Sequence, residues 1–371
     1  MTGIVLIIDT ITVIYKNMQL KKLLLVRLLG IFSRLFQIGK LSRIRVFALF
    51  FSLGLGLSLT LSACSSSTNN STATQTTNQK GAVVHIGYQK AATILYSLKA
   101  KKDLEKALPG ATVTWTEFPA GPPMLEAMNA GSIDFGYTGE SPPIFAQVAG
   151  IPLVYVAYDP WSPKAEAIIV PKNSPLKTVA ELKGKRVAFA KGSNANYLLV
   201  KALEKAGLKY DDIKPTTLPP PDARGAFEGN NVEAWAIWDP YLAAAVAATG
   251  ARTLTDGTGL VPNRGYYLAA KSFVEKQPDT LKTVLDQVKK TSNWAQKNPT
   301  EVAKFLSPVL GIDAAVLEVA EKRREYGVLP ITDEVIAGQQ EAANTFYKIK
   351  LVTKSINVKE AVWKGRSTTP T

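Results

Sequence analysis

Residues 131–158 read GSIDFGYTGESPPIFAQVAGIPLVYVAY. Residues 133–137 form a short apolar and aromatic run, the signature of a buried strand. Pro142 and Pro143 open a helix, because proline fits the first turn, where its missing N–H has no acceptor to lose. Gly150 closes that helix, and a second apolar, β-branched run follows at residues 153–158. A strand, a helix and a strand in so short a span make a βαβ unit, so the sheet is expected to be mainly parallel and doubly wound.

The same rhythm continues on both sides. Upstream, residues 83–88 read as a strand, 99–108 as a helix ended by Pro109-Gly110, and 113–118 as an alternating strand. Downstream, VPKNSP at residues 170–175 changes character and predicts a crossing into a second lobe. Strands are expected there at 186–190, 216–218 and 234–237, with helices at 196–206, 223–228 and 241–248. Pro262-Asn263-Arg264-Gly265 predicts the crossing back, after which 266–270 rejoins the first lobe. From 271 onward the pattern is helical, with Pro278 and Pro299 placed as helix starts. The expected organisation is lobe 1 over 82–171, lobe 2 over 172–263, and the return to lobe 1 with C-terminal helices over 264–371. The fold class is α/β, two lobes with a ligand cleft between them, at the carboxyl ends of the strands. No internal repeat is apparent.

The first 63 residues differ in kind. VFALFFSLGLGLSLTLSA at 46–63 is uncharged, follows Arg43 and Arg45, and ends in Leu61-Ser62-Ala63-Cys64. A positive flank, an apolar run and small residues before a cut describe a secretory leader over 1–63. The last four residues resemble a bacterial lipobox, which implies cleavage before Cys64 and lipidation of its thiol. An uncleaved membrane anchor and a small buried cysteine are the alternatives. SSSTNNSTATQTTNQ at 65–79 has no charge and no large apolar side chain, so residues 64–81 are expected to be a disordered tether reaching roughly 20 Å. Met18, ahead of Lys21 and Lys22, would begin a more ordinary leader than Met1.

Charge and residue inventory exclude several function classes. The 371-residue chain carries a formal charge of +14, but residues 1–63 hold eight basic residues and one acidic residue, and the remainder is only mildly basic. No basic run interleaved with aromatics follows residue 64, which argues against nucleic acid as a partner; a mildly basic body favours anionic solutes. One cysteine and one histidine, His85, leave no disulfide framework and no metal cluster of soft ligands. No cofactor is expected.

Six segments carry a family resemblance: IGYQK (86–90), EFPAGP (117–122), GSIDFG (131–136), TGESPPIFAQ (138–147), LKGKRVA (182–188) and AWAIWDPY (234–241). In this order they resemble the successive motifs of aliphatic sulfonate-binding proteins of ABC importers, over roughly residues 82–365. The resemblance implies a type II periplasmic-binding fold that closes on its ligand, works outside the cytoplasm, and docks as a monomer on a membrane permease with a cytoplasmic ATPase. A sulfonate is a permanent monoanion with three acceptor oxygens, so a good site offers neutral donors and helix starts. Thr138 and Gly139 precede one helix start, Ser193, Asn194 and Asn196 surround another in the opposite lobe, and Gln89 follows the first strand.

Each candidate has a plainer role beside it. Ser193, Asn194 and Thr138 suit helix caps, and Gly139 suits a tight turn. Trp238 suits an apolar wall for an organic tail, whereas Trp235 suits the core. Tyr266 lies near the return crossing and either lines the cleft or packs, as does Tyr267. Asp239, beside an anion site, needs a cation, and Arg224 is the expected partner. Glu140 stands where the family usually has Asp, and a helix-charge or lobe-closure role suits it better than contact with a sulfonate.

Three other readings compete, the plainest being a structural surface lipoprotein, against which a cleft lined by donors at two helix starts argues. Desulfinases and pyrimidine-forming enzymes resemble this fold, but they use a cysteine or histidine in the cleft. Here Cys64 belongs to the leader junction and His85 lies inside a strand, so no nucleophile–base pair remains. The last reading keeps the binding role and changes the solute to taurine, nitrate or bicarbonate, with Glu140 or Asp239 available for an ammonium group.

Overall fold

A computed structural model describes residues 81–365. The leader, Cys64 and the tether up to residue 80 lie outside the described residues. Two five-stranded sheets organise the described chain. The first contains β1 (Val83–Tyr88), β2 (Thr112–Glu117), β3 (Phe135–Gly139), β4 (Leu153–Tyr158) and β10 (Gly265–Ala270), in the order β2-β1-β3-β10-β4. The second contains β5 (Glu166–Val170), β6 (Arg186–Phe189), β7 (Lys214–Thr217), β8 (Ala234–Trp238) and β9 (Arg252–Asp256), in the order β7-β6-β8-β5-β9.

The two orders are the same pattern, and each contains one antiparallel strand, β10 in the first and β5 in the second. These are the strands by which the chain enters a sheet after crossing between lobes. The chain leaves β4 at its carboxyl end, so it reaches the second sheet from the cleft side and β5 must run away from the cleft. The return from β9 imposes the same direction on β10. Central strands are buried along their whole length, as in Ala234–Trp238 and Gly265–Ala270, whereas the edge strand Thr112–Glu117 is half-buried at alternate residues. Sheets covered on both faces place their strand ends, not their faces, at the ligand site.

Helices flank both sheets. In chain order they are α1 (Thr93–Lys101), α2 (Asp103–Ala107), α3 (Gly121–Asn129), α4 (Ser141–Val148), α5 (Asn194–Lys205), α6 (Pro220–Glu228), α7 (Tyr241–Thr249), α8 (Lys271–Lys276), α9 (Pro278–Lys297), α10 (Pro299–Leu310), α11 (Ala314–Lys322) and α12 (Asp333–Lys348). Helix α9 buries Leu281, Val284, Val288, Ser292 and Ala295, a stripe at helical spacing, against α1 of the first lobe. Helix α11 packs on α10 and also on α7 of the second lobe, so the C-terminal region touches both halves.

Several expected boundaries differ from the structure. The crossing expected at 170–175 lies earlier: Glu166–Val170 already pairs with β8 and β9 of the second sheet, so lobe 2 begins before residue 172. The segment Asp159-Pro160-Trp161-Ser162-Pro163 makes that crossing, and its two prolines punctuate it. Strand β5 lacks alternation because all five residues are buried. The helix expected at 99–108 is two helices, starting at Thr93 and interrupted by Lys102 in a left-handed conformation at φ 53°. The strand expected at 133–137 is displaced to Phe135–Gly139, which puts Thr138 and Gly139 in the strand rather than after it. Strand β9 has little signature in the sequence, because RTLTD has one large apolar residue and sits at an edge.

Candidate functional site

Between the carboxyl ends of the two sheets lies a cavity of about 50 Å³. Both lobes and both crossings line it. Gln89 comes from the end of β1, Tyr137 and Gly139 from β3, and Pro142 from α4. The second lobe supplies Ser193 and Asn194 at the start of α5, with Trp238 and Asp239 at the end of β8. Asp159 and Ser162 stand on the outgoing crossing, Asn263 and Arg264 on the return, and Arg324 follows α11.

Six expected site residues therefore meet around the cavity: Gln89, Gly139, Ser193, Asn194, Trp238 and Asp239. Three others do not line it. Thr138 is fully buried and its hydroxyl donates to the Gly139 carbonyl at 2.9 Å. Asn196 accepts the Gly192 N–H at 3.1 Å, closing the loop ahead of α5. Tyr266 packs edge-on against Tyr155 with ring centroids 5.0 Å apart. Ser193 caps α5, accepting the Asn196 N–H at 3.3 Å and donating to the Ala190 carbonyl at 2.6 Å, so its hydroxyl is committed to the loop. Trp238 is only 9% exposed and meets Tyr241 edge-on. Trp235 is fully buried against Phe227.

The two helix starts meet across the cavity. Asn194 Oδ1, in the second lobe, accepts the Ser141 N–H at the start of α4 in the first, at 3.2 Å. Asn194 Nδ2 donates to Asn263 Oδ1 at 2.8 Å. One side chain thus links both lobes to the return crossing.

The charged groups follow a different plan from the expected one. Asp239 does not pair with Arg224, which bonds Glu228 one turn along its own helix at 2.7 Å. Its partner is Arg323, whose guanidinium lies 3.2 Å away, and Asp239 Oδ1 also accepts the Ala243 N–H at 2.9 Å. Burial still raises the Asp239 carboxyl above its ordinary range, against the pull of Arg323. Arg324 donates to the Tyr137 hydroxyl at 2.9 Å and to the Ala91 carbonyl, with Asp159 3.9 Å away. Asp159 accepts the Tyr267 hydroxyl at 3.1 Å, and burial pushes its carboxyl up to about 6.

Glu140 lies behind the cavity lining. Its Oε2 accepts the Arg264 N–H at 3.2 Å, and its backbone carbonyl accepts the Gln339 amide at 2.6 Å. Burial pushes its carboxyl up to about 7 even though Arg264 works the other way. Glu166, the first residue of β5, is fully buried with neither carboxylate oxygen hydrogen-bonded; burial, then the like charge of Glu140, drives it well above the carboxylate range. One carboxyl from each lobe therefore faces the other at low dielectric.

The chemistry of the lining suits a small anion with an organic tail. It offers neutral amide and backbone donors, the guanidinium groups of Arg264 and Arg324 with Asp159 beside the latter, and an indole wall. His85 stands apart, bonding Asp134 through Nδ1 at 2.7 Å. Among the described residues no group of three or more His, Cys, Asp or Glu is placed to hold a metal ion. Arg324, Arg264, Asn263, Ser162 and Asp159 were missed as site residues. The two crossings, marked by Pro160 and Pro163 on the way out and by Pro262 on the return, carried the only local signal for four of them; Arg324, in an Arg323-Arg324 pair on a helical stretch, looks like solvent-facing charge.

Residues 117–302 match the family model described as NMT1/THI5 like. An aliphatic sulfonates-binding protein of Escherichia coli is 46% identical over 281 residues, spanning 76% of this chain and 88% of that one. Among solved structures, the alkanesulfonate-binding protein SsuA from Xanthomonas axonopodis pv. citri, bound to MOPS, is 42% identical with a TM-score of 0.74, over 76% of this chain and 99% of that one. The periplasmic aliphatic sulphonate-binding protein SsuA from Escherichia coli is 45% identical with a TM-score of 0.70, over 76% and 98%.

Proposed function

The chain belongs to the NMT1/THI5-like family and, within it, to the aliphatic sulfonate-binding proteins, and from that premise we propose that its cleft captures organic sulfonates for uptake. It is the periplasmic solute-binding component of an ABC importer, working with a membrane permease and its ATPase, and it is a binding protein, not an enzyme. The observation that carries the reading is the cavity itself, where helix starts from two lobes converge with amide donors beside an indole wall.

In this reading Gln89 and the backbone at Gly139 present donors to the sulfonate oxygens, Ser193 and Asn194 shape the opposite wall, and Trp238 faces the carbon chain. Arg264 and Arg324 bring positive charge to the cavity, Asp159 stands beside Arg324, and Asp239 pairs with Arg323. Thr138, Asn196 and Tyr266 act one layer back, fixing the loops that carry those donors. A permanent anion suits such a site because its charge needs orientation, not protonation.

The same reading places a lipid on Cys64 and a monomeric body beyond a tether, supported by the apolar run 46–63 and the Leu61-Ser62-Ala63-Cys64 junction. Cys64→Ala should release the protein from membranes and abolish labelling by a fatty-acid analogue; unchanged labelling would remove the anchor.

Calorimetry with methane-, butane- and octanesulfonate, taurine, nitrate and sulfate tests the ligand class. The sulfonates are expected to bind and to raise the melting temperature with concentration. Heat from nitrate alone would overturn the assignment, and heat from taurine alone would narrow the class to amino-sulfonates.

A further inference from the structure

We propose that Asn194 is the latch that holds the two lobes closed, and that residue 139 is glycine because the latch occupies the space its side chain would need. The proposal concerns closure of the cleft assigned above to sulfonates and rests on that reading for its ligand alone.

Asn194 is the first residue of α5 and is 7% exposed. Its Oδ1 receives the Ser141 N–H at 3.2 Å. That donor belongs to the first turn of α4, where no carbonyl of the same helix is available and the partial charge is positive. Its Nδ2 donates to Asn263 Oδ1 at 2.8 Å, and Asn263 Nδ2 donates in turn to the Ser162 carbonyl at 2.9 Å. The relay joins the second lobe to a helix start of the first lobe and to both crossing segments. Both ends of the amide are fixed, so it cannot swing aside without losing a bond.

Gly139 stands directly against this amide. A Cβ built there would lie 2.1 Å from Asn194 Oδ1 and 2.3 Å from both Cγ and Nδ2. Non-bonded atoms do not approach so closely, and Asn194 cannot yield while its bonds hold. Gly139 is not among the residues with positive φ, so a turn does not explain it. Space explains it. When the lobes part, the Ser141 N–H and the Asn194 amide return to water and the clash disappears. The constraint is therefore specific to the closed form, and the latch acts on ligand escape, not on ligand encounter.

The test compares wild type, Asn194→Ala, Gly139→Ala and the double variant, with Asn263→Gly as an independent break in the relay. Asn263 has φ 46°, which glycine adopts without strain. Small-angle scattering without ligand reads compactness, and stopped-flow with ethanesulfonate reads the two rates. Asn194→Ala and Asn263→Gly are expected to speed dissociation about tenfold and to leave association within about twofold. Gly139→Ala should scatter as a more extended particle than wild type, and the added Asn194→Ala should return it to the dimensions of the Asn194→Ala single variant. Rescue of this kind would not follow from a merely structural role for either residue.

A Gly139→Ala protein as compact as wild type, a double variant no more compact than Gly139→Ala, or an effect confined to association would each overturn the latch. The scattering arm contains no sulfonate, so a protein that showed the rescue yet bound no ethanesulfonate would keep the latch and lose only the ligand assignment.

Discussion

Arg323 and Arg324 are neighbours in the chain and reach opposite lobes. The Arg323 guanidinium lies 3.2 Å from Asp239 at the end of β8, in the second lobe, whereas Arg324 donates to the Tyr137 hydroxyl of β3, in the first, at 2.9 Å. Two consecutive side chains after α11 thus tie both halves to the C-terminal helices.

Removing Arg323 leaves Asp239, almost wholly buried, without its cation. Arg323→Ala is expected to lower stability by about 1.5–3 kcal/mol, the range for hydrogen bonds to charged groups. Arg224→Ala, whose partner Glu228 is on the surface, should change it by about 0.5 kcal/mol or less. Urea unfolding at pH 7 measures both; equal losses would contradict the pairing seen here.

Arg324 sits deeper than Arg323, with side-chain exposure of only 10% against 28%. Arg324→Met should cost about 3–5 kcal/mol, since it strands the Asp159 carboxylate in a low-dielectric site. Adding Asp159→Asn to that variant should recover part of the loss, because the stranded charge is then gone. Denaturant titration of the single and double variants would show it, and a double variant less stable than Arg324→Met would refute the argument.

Trp238 is expected to discriminate among ligands by chain length. Trp238→Ala should weaken octanesulfonate binding at least about tenfold, since an indole wall buries alkyl surface. The effect on methanesulfonate should stay within about threefold, because that ligand has little apolar surface to lose. A uniform loss across the series by calorimetry would place Trp238 at the head group instead.

Stability should fall as pH rises. Glu140 titrates near 7 in the folded chain against an ordinary 4.5, and Glu166 is displaced in the same direction. Between the two values the folded state binds more protons than the unfolded state, so the contribution is whole below about pH 4.5 and is lost by about pH 7. Asp159, near 6, and Glu321, near 7, act with the same sign. Glu166→Gln should flatten the decline between pH 5 and 7.5 in unfolding experiments at fixed temperature. A slope identical to wild type would show that the pair is hydrated in solution.

Ser193 and Asn196 separate support from contact. Ser193→Ala should cost about 1 kcal/mol of stability through the lost cap, with ethanesulfonate affinity changed by about threefold or less because the hydroxyl is already committed to the Ala190 carbonyl. A hundredfold affinity loss at unchanged stability would instead assign the hydroxyl to the ligand.

Much of the architecture was legible in the residues alone. Strands Val83–Tyr88 and Leu153–Tyr158 coincide with their expected bounds, and Pro278 and Pro299 open α9 and α10. Apolar periodicity, proline and glycine act locally, through backbone sterics and the burial of one face, so they can be read in order along the chain. The six motifs were local in the same sense, and they pointed to Gln89, Gly139 and Trp238 at strand ends.

Partner choice was decided in three dimensions. Asp239 took Arg323, 84 residues away, over the nearer Arg224. Glu140 came to face Glu166 only because β5 crosses into the other sheet, and Asn194 reached Ser141 only because two helix starts converge. Such pairings depend on distances fixed by the packing of whole lobes, and electrostatic and hydrogen-bond energies fall steeply over a few ångströms. Periodicity says which face of an element is buried; it carries no information on which distant group will stand opposite.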